Sequence, residues 1–364
     1  MTKVLVGMSG GVDSSVSVYL LQQQGYEVSG VTLKLFDNDD IGIEDKEKTC
    51  CSLSDVQDAR SVATKLGCRH YVFNYSEWFM QDVVERFARS YEEGRTPNPC
   101  IDCNRYIKFS RMLERAKFLE FDYIATGHYA QIEKDPVTGR YLLKKGADPS
   151  KDQSYVLYTM TQEELSRTLF PLGKMKKSEI RAIAEREGFV NAKKKDSQDI
   201  CFVKDGDYAG FLQNVMHIKS EPGDFVDKDG RKVGRHQGII HYTVGQRKGL
   251  GQTFGKPVYV LSKDKEGNTV TLGKNEELFA EGMIVEDMNL ISIAELAEPL
   301  KVTVKARYSM KEVGAMIYPL EKGDIKVIFD EKQRAITPGQ AAVFYDGDVV
   351  VGGGTIVHAI FQEK

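Results

Sequence analysis

Over roughly the first two hundred residues, short apolar runs alternate with stretches of helical period. Val4-Leu5-Val6 is a three-residue apolar run that enters a glycine turn, and Ser14 to Gln24 then reads as a helix ended by Gly25. Val28 to Phe36 reads as a second strand. Ser54 to Leu66 reads as a helix with Val56, Ala59, Val62, Ala63 and Leu66 on one face and Gly67 as its stop. His70-Tyr71-Val72-Phe73 predicts a strand, Trp78 to Tyr91 a helix, and Tyr123-Ile124-Ala125-Thr126 another strand. Strands separated by helices imply a parallel sheet covered on both faces.

The pattern changes after about Asp205. Glycines become frequent from Gly223 to Gly255, and β-rich runs such as Val258-Tyr259-Val260-Leu261 stand between turn residues. From about Gly282 short strands dominate, among them Lys301–Tyr308, Lys326–Phe329 and Ala342–Tyr345, a spacing that predicts a small β-barrel. The expected fold class is therefore α/β, with a parallel-sheet domain over 1–205, a β-rich central domain over 206–281 and a C-terminal β-barrel over 282–364.

Composition narrows the class. The 364 residues, 41% hydrophobic and 28% charged, are ordinary for a globular chain and long enough for two or three cores. The N-terminus runs straight into a strand, and no apolar stretch is long enough to span a bilayer, so a cytoplasmic location without membrane association is expected. Six cysteines are too few for a disulfide scaffold at this length and point to redox, metal or catalytic use. The formal charge of -3 does not suggest a nucleic-acid binder, although local basic runs can.

Between the first strand and the first helix stands Ser9-Gly10-Gly11-Val12-Asp13-Ser14-Ser15. Such a loop offers backbone N–H groups and the positive end of a helix dipole to a phosphate, while glycine lets the backbone approach closely. It lacks the Gly-Lys-Ser/Thr ending of a Walker loop and is not Gly-x-Gly-x-x-Gly. The string SGGVDSS resembles the PP-loop of the N-type ATP pyrophosphatases, whose fold is adenine nucleotide alpha hydrolase-like. The resemblance implies that such an enzyme adenylates an oxygen so that it departs as AMP. By the same resemblance Gly7, Met8, Ser9, Gly10, Gly11, Val12, Asp13 and Ser14 form the ATP segment. Asp13 would help to place Mg²⁺, Leu33 would lie near the adenine, and Gly127 would make a further ATP contact.

Two cysteine segments follow, TPNPCIDCN around Cys100 and Cys103 and DSQDICF around Cys201. With them the chain resembles the tRNA-specific 2-thiouridylase family. The matching strings are GMSGGVDSS, GRTPNP, CNRYIKF, ATGHYA, KDQSYVLY, SQDICFV, GQRKGLG, KARYS and PGQAAVFYDG, spread over nearly the whole length. The resemblance implies that Cys201 carries a persulfide received from a sulfur-donor protein, that Cys103 is the partner nucleophile, and that the two can form a disulfide between turnovers. Thiolate chemistry independently calls for a carrier and a releasing thiol, helped by nearby cations, and Lys193-Lys194-Lys195 could supply those. A solvated basic surface is the alternative for that run.

Cys100 departs from the family, which commonly has aspartate there to act as acid or base beside the uridine; a thiol with a pKa near ~8.5 suits that task less well. Cys100, Cys103 and Cys201 together could instead hold an iron–sulfur cluster or a zinc with an open position. Cys50-Cys51 and Cys68 carry no assigned chemistry.

For RNA, basic residues cluster at Lys174, Lys176 and Lys177, at Lys193–Lys195, and from Arg231 to Lys248. The resemblance implies tRNA contacts at His128, Lys151, Asp152, Gln153, Arg307, Tyr308 and Gln340, with Asn98, Pro99 and Cys100 beside the target base. The expected activity is ATP-dependent 2-thiolation of the wobble uridine of tRNA. Two other readings stand beside it. A PP-loop amide ligase would release pyrophosphate without tRNA, and a cluster-binding RNA module would hydrolyse no ATP.

Overall fold

A computed structural model describes residues 1–37, 53–196 and 200–362. Cys50, Cys51, the acidic run after Asp37, and Ser197 to Asp199 of the Cys201 segment lie outside the described residues. The chain forms two compact units, one of residues 1–84, 100–206 and 348–350, the other of 85–99, 207–347 and 351–364.

The first unit is built on a sheet of β1 (Lys3–Gly7), β2 (Glu27–Lys34), β3 (Arg69–Asn74) and β4 (Tyr123–Ala125). A hairpin of β5 (Ala130–Lys134) and β6 (Tyr141–Lys145) follows, and β7 (Thr168–Leu169) completes the sheet. The strand order is β3-β2-β1-β4-β7, and all the pairings are parallel. Helix α1 (Val12–Gln23) begins two residues earlier than its apolar pattern predicts, because Gly11 at the N-cap admits Val12 and Asp13 into the first turn. Helix α2 (Leu53–Lys65) packs on β2 and β3. Val4, Val6, Val16, Val18, Ala59 and Ala63 are wholly buried in one cluster with Ile180 and Ala184 of the helix Lys177–Arg186. Each such valine contributes on the order of 1.5–3 kcal/mol by leaving water.

The helix predicted over Trp78–Tyr91 spans Ser76 to Glu92, with π-helical turns at Met80–Val84. A second π-helical stretch, Cys103–Arg111, follows the short turn Pro99–Asp102. After β4 the chain passes through His128, which is 8% exposed. Its ring lies between Phe109 and Phe170, with centroids 5.7 and 5.9 Å away, and its Nδ1 shares a 2.7 Å hydrogen bond with Thr126 Oγ1. Burial, with the charge of Lys108 adding to it, lowers the His128 pKa well below 6.5.

The second unit holds a four-stranded sheet and a barrel. The sheet strands are β8 (Gly223–Val226), β9 (Lys232–His236), β10 (Tyr259–Asp264) and β11 (Thr269–Gly273), in the order β10-β11-β8-β9. The barrel strands are β12 (Phe279–Leu290), β13 (Leu300–Lys305), β14 (Val313–Pro319), β15 (Ile325–Arg334), β16 (Ala341–Asp346) and β17 (Val349–Ile360). They run β12-β15-β14-β13-β16-β17 and close through β12–β17 pairing, so the barrel has no free edge. The strands are not uniformly short. β12 and β17 have 12 residues each, and register shifts between Ile284 and Val285 and between Glu286 and Asn289 bend the pair enough to close the ring.

In the same unit the turn before β16 grips the segment before Pro99. Thr96 N donates to Pro338 O at 2.9 Å and Gln340 Nε2 to Thr96 O at 2.7 Å. Gly339 has φ of +89°, and a Cβ there would lie 2.8 Å from Arg95 Cβ and 2.9 Å from Thr96 N.

Two outcomes follow from this packing. Gly339→Ala combines a left-handed φ with a backbone collision and should lower unfolding stability by about 2–4 kcal/mol in urea titrations; a midpoint equal to that of the unchanged protein would show that the turn yields freely. Because the folded state lowers the His128 pKa, its contribution is complete above the unfolded value of 6.5 and is lost as pH falls. Unfolding free energies measured between about pH 7 and 5 should therefore decline less steeply in His128→Asn, and equal slopes would refute the assignment.

Candidate nucleotide and thiol site

The sheet order reverses direction at β1, so the carboxyl ends of β1 and β4 flank a topological switch point, where ligands bind in open parallel sheets. The glycine-serine loop leaves β1 at that place. Met8 N donates to Val31 O at 2.7 Å, and Thr32 Oγ1 donates to Met8 O at 2.8 Å, which fixes the start of the loop against β2. Gly10 has φ of +72°, and a Cβ on it would stand 2.4 Å from Asp55 O, so only glycine fits against the start of α2. Ser14 Oγ accepts from Ser9 N at 3.3 Å and donates to Gly11 O at 3.1 Å. Ser9 is exposed at the rim, while Met8, Val12 and Ser14 are buried beneath it.

Gly127 closes the other side. A Cβ on it would lie 2.9 Å from both Asp13 C and Ser14 N, so the turn after β4 rests directly on the first turn of α1. Leu33 stands half-buried at the carboxyl end of β2, beside Phe73 of β3. The residues from Gly7 to Ser14, Leu33 and Gly127 thus share one end of the sheet.

Asp13 does not offer a vacant carboxylate. Lys177 Nζ donates to its Oδ1 at 2.8 Å and to its Oδ2 at 2.7 Å, and Tyr129 Oη donates to Oδ1 at 2.7 Å. The same ammonium lies 2.9 Å from Asp196 Oδ1, and the Lys177 side chain is 10% exposed. Burial, reinforced by the Asp13 charge, pushes the Tyr129 phenol far up, so it remains a proton donor. Asp196 also receives Lys151 Nζ at 2.7 Å and Arg181 Nη2 at 3.1 Å. Burial alone would raise the Asp196 pKa, but the hydrogen bonds from Lys151 and Lys177 outweigh it and hold it at about 2. In this arrangement Asp13 does not fit as a magnesium ligand, because an ammonium already fills the position a cation would take.

The expectation that Lys177 belongs to an RNA-facing basic surface is therefore corrected. Its place on the helix shows why: Lys177, Ile180 and Ala184 form a buried i, i+3, i+7 stripe, a signal present in the sequence. Lys194 is corrected likewise. It bonds to Asp55 Oδ1 at 2.5 Å and to Asp58 Oδ2 at 2.7 Å, so its charge is committed to α2 rather than to a thiol or to solvent. Burial works against that charge, but the two carboxylates more than offset it and raise the Lys194 pKa.

The thiols lie in elements that share a neighbour. Cys103, 8% exposed, opens the π-helical stretch, which packs on the helix Ser76–Phe79. Cys201 is half-buried, and the adjacent Phe202 sits edge-on to Phe79 of that helix at 5.7 Å. Phe79 in turn meets Phe36, just beyond β2. Cys100 is exposed. The alternative of a cluster held by Cys100, Cys103 and Cys201 is not supported, since among the described residues no three His, Cys, Asp or Glu side chains are grouped to hold a metal ion.

Of the positions assigned to tRNA, Arg307 and Tyr308 are exposed, with Lys305 Nζ 5.7 Å from the Tyr308 ring centroid. Asn98 is half-buried and Pro99 buried. Asp152 and Gln153 face inward. Asp152 accepts from Gly146 N and Ser154 N at 3.0 and 3.1 Å, and Gln153 Oε1 accepts from Tyr129 N at 3.0 Å. His128 is enclosed as described, and Gln340 holds Thr96. Among the described residues no helix is long and apolar enough to cross a membrane.

Comparison with known proteins matches this layout. The tRNA methyl transferase HUP domain family matches residues 2–205, the tRNA methyl transferase PRC-barrel domain 209–274, and the aminomethyltransferase beta-barrel domain 280–356. The tRNA-specific 2-thiouridylase MnmA of Clostridioides difficile (strain 630) is 53% identical over 97% of this chain and 98% of its own length. The tRNA-specific 2-thiouridylase MnmA 1 of Thermoanaerobacter sp. (strain X514) is 54% identical over 97% of each chain. That of Acetivibrio thermocellus is 53% identical over 97% of this chain and 99% of its own. Identity of this degree over 97% of the chain, with a family model that spans residues 2–205, makes the chain a member of the tRNA-specific 2-thiouridylase family.

Proposed function

We propose that the protein replaces O2 of the wobble uridine of tRNA with sulfur, using ATP to activate the oxygen and cysteine to deliver the sulfur. The observation that carries this reading is the near full-length identity to tRNA-specific 2-thiouridylases, supported by a glycine-serine loop at the switch point of the sheet. Methyl transfer, named in the descriptions of two of the matching domain families, gives no role to Cys103 and Cys201. Both cysteines lie in elements that border the Phe79 helix.

In this reading the uridine O2 attacks the α-phosphorus of ATP, pyrophosphate leaves, and an O2-adenylate forms. Glycine-loop N–H groups hold the phosphates. Mg²⁺ would supply charge neutralisation at the phosphates, and no residue of this chain is assigned to hold it. Cys201 receives its persulfide from a donor protein. Its terminal sulfur attacks C2 directly and Cys103 thiolate then attacks the inner sulfur, breaking the S–S bond and leaving the outer sulfur on C2; or Cys103 thiolate attacks the inner sulfur first and releases hydrosulfide, which attacks C2 instead. In both routes AMP leaves with the former O2, and Cys103 and Cys201 end as a disulfide that an external thiol must reduce. Asn98, Pro99 and Cys100 are proposed to stand beside the base, with Arg307, Tyr308, Lys151 and Gln340 toward the tRNA. A base held in an anticodon loop must be splayed out to reach an interior site.

Incubation with ATP, Mg²⁺, a persulfide source and unmodified tRNA should yield 2-thiouridine on nucleoside analysis. Its absence, with ATP cleaved equally well without tRNA, would favour a small-molecule ligase. Cys201→Ser should abolish thiolation while tRNA-dependent pyrophosphate release stays within about threefold of the unchanged protein. Loss of pyrophosphate release as well would contradict the separation of activation from sulfur delivery.

A further inference from the structure

A trans peptide points its carbonyl and the following N–H to opposite sides, so whatever grips the carbonyls of a loop also aims its donors. In the glycine loop those carbonyls are gripped by a side chain from far along the sequence. Asn191, 2% exposed, places Nδ2 2.9 Å from Gly10 O, 3.2 Å from Gly11 O and 2.9 Å from Ser15 Oγ. Ser15 Oγ itself donates to Gly11 O at 3.1 Å, so it can accept from the carboxamide. Lys194 Nζ, anchored by Asp55 and Asp58, adds a 3.3 Å contact to Gly10 O from the same segment.

The orientation of the carboxamide follows from this surrounding. Asn191 Oδ1 makes no hydrogen bond among the described residues, whereas a flipped amide would press Oδ1 against three oxygens. Keeping one buried oxygen unpaired is the less costly arrangement. With the Gly10 and Gly11 carbonyls drawn toward Asn191, the N–H groups of Gly11 and Val12 are turned to the opposite side of the loop.

We propose that Asn191 is a positioning residue for the phosphates of ATP: its carboxamide sets the direction in which the glycine loop presents its N–H donors. The inference rests on the ATP reading above and deepens it. Asn191 touches neither phosphate nor uridine in this account and acts only through the backbone it holds. Its role is therefore specific to ligands that carry phosphate.

The test compares ATP with adenosine, which shares the base and sugar but has no phosphate, by equilibrium binding without tRNA or sulfur. Asn191→Asp is nearly isosteric, yet its ionised carboxylate cannot donate and repels the three oxygens. It should weaken ATP at least about tenfold while changing adenosine less than about twofold. Asn191→Ala, which removes the donor without adding charge, should show the same split with a smaller ATP loss. Thermal unfolding of both variants reports whether they are folded. ATP affinity unchanged in both variants, or ATP and adenosine weakened by the same factor, would overturn the inference. An unchanged protein with no preference for ATP over adenosine would overturn the ATP reading itself, and this inference with it. Failure to form 2-thiouridine with the ATP-specific loss intact would count against the thiolation reading alone.

Discussion

The direction of the backbone at Gly10 and Gly11 is the constraint on which the rest of the site depends. The loop is pressed from one side by the start of α2, where Asp55 leaves no room for a Cβ, and from another by Gly127, which leaves none against Asp13. Asn191 and Lys194 hold its carbonyls from within. Three segments distant in sequence thus fix a few peptide planes, and the direction of the N–H groups follows from those planes. A short loop can be this well defined because its neighbours are backbone and buried polar groups rather than mobile side chains.

Charge is arranged with similar economy. Lys177 stands between Asp13 and Asp196, and Asp196 is also held by Lys151 and Arg181. Asp196 precedes Cys201 in the same sequence motif, and one ammonium joins its carboxylate to that of Asp13 in the glycine-serine loop. A buried lysine with two carboxylate partners avoids the large desolvation cost of an isolated charge.

Much of this was legible in the sequence. The alternation of Val4–Val6, Val28–Phe36 and His70–Phe73 with helical stretches pointed to the parallel sheet, and these three strands lie within a few residues of their patterns, whereas β5, β6 and the two-residue β7 carried no pattern that was read. The strands of the barrel were visible too, but its closure was not, since pairing between β12 and β17 depends on bulges that periodicity does not encode. At the site the glycine-serine string marked the tight turn between β1 and α1 because its conformational demands are local. Asn191 was not found because its partners lie more than a hundred residues away and an isolated asparagine carries no pattern; Lys177 was signalled by its stripe with Ile180 and Ala184, but its partner Asp13 is distant in the chain. His128 shows the converse. Its motif stood out, yet Phe109, Phe170 and Thr126 enclose the ring in ways that the motif alone does not reveal.

The π-helical stretch that begins at Cys103 has a consequence for how the chain can change in length. Wide turns accommodate residues that an ordinary ladder of i to i−4 bonds would exclude, and each α-helical residue turns the axis by about 100°. Deleting one residue between Cys103 and Arg111 would let the segment tighten into α turns and leave the thiol facing as before relative to the buried Ile107 and Phe109, whereas the same deletion in an α-helical stretch would swing it by roughly that angle. The stretch is thereby a place where the chain can lose one residue without re-aiming the sulfur.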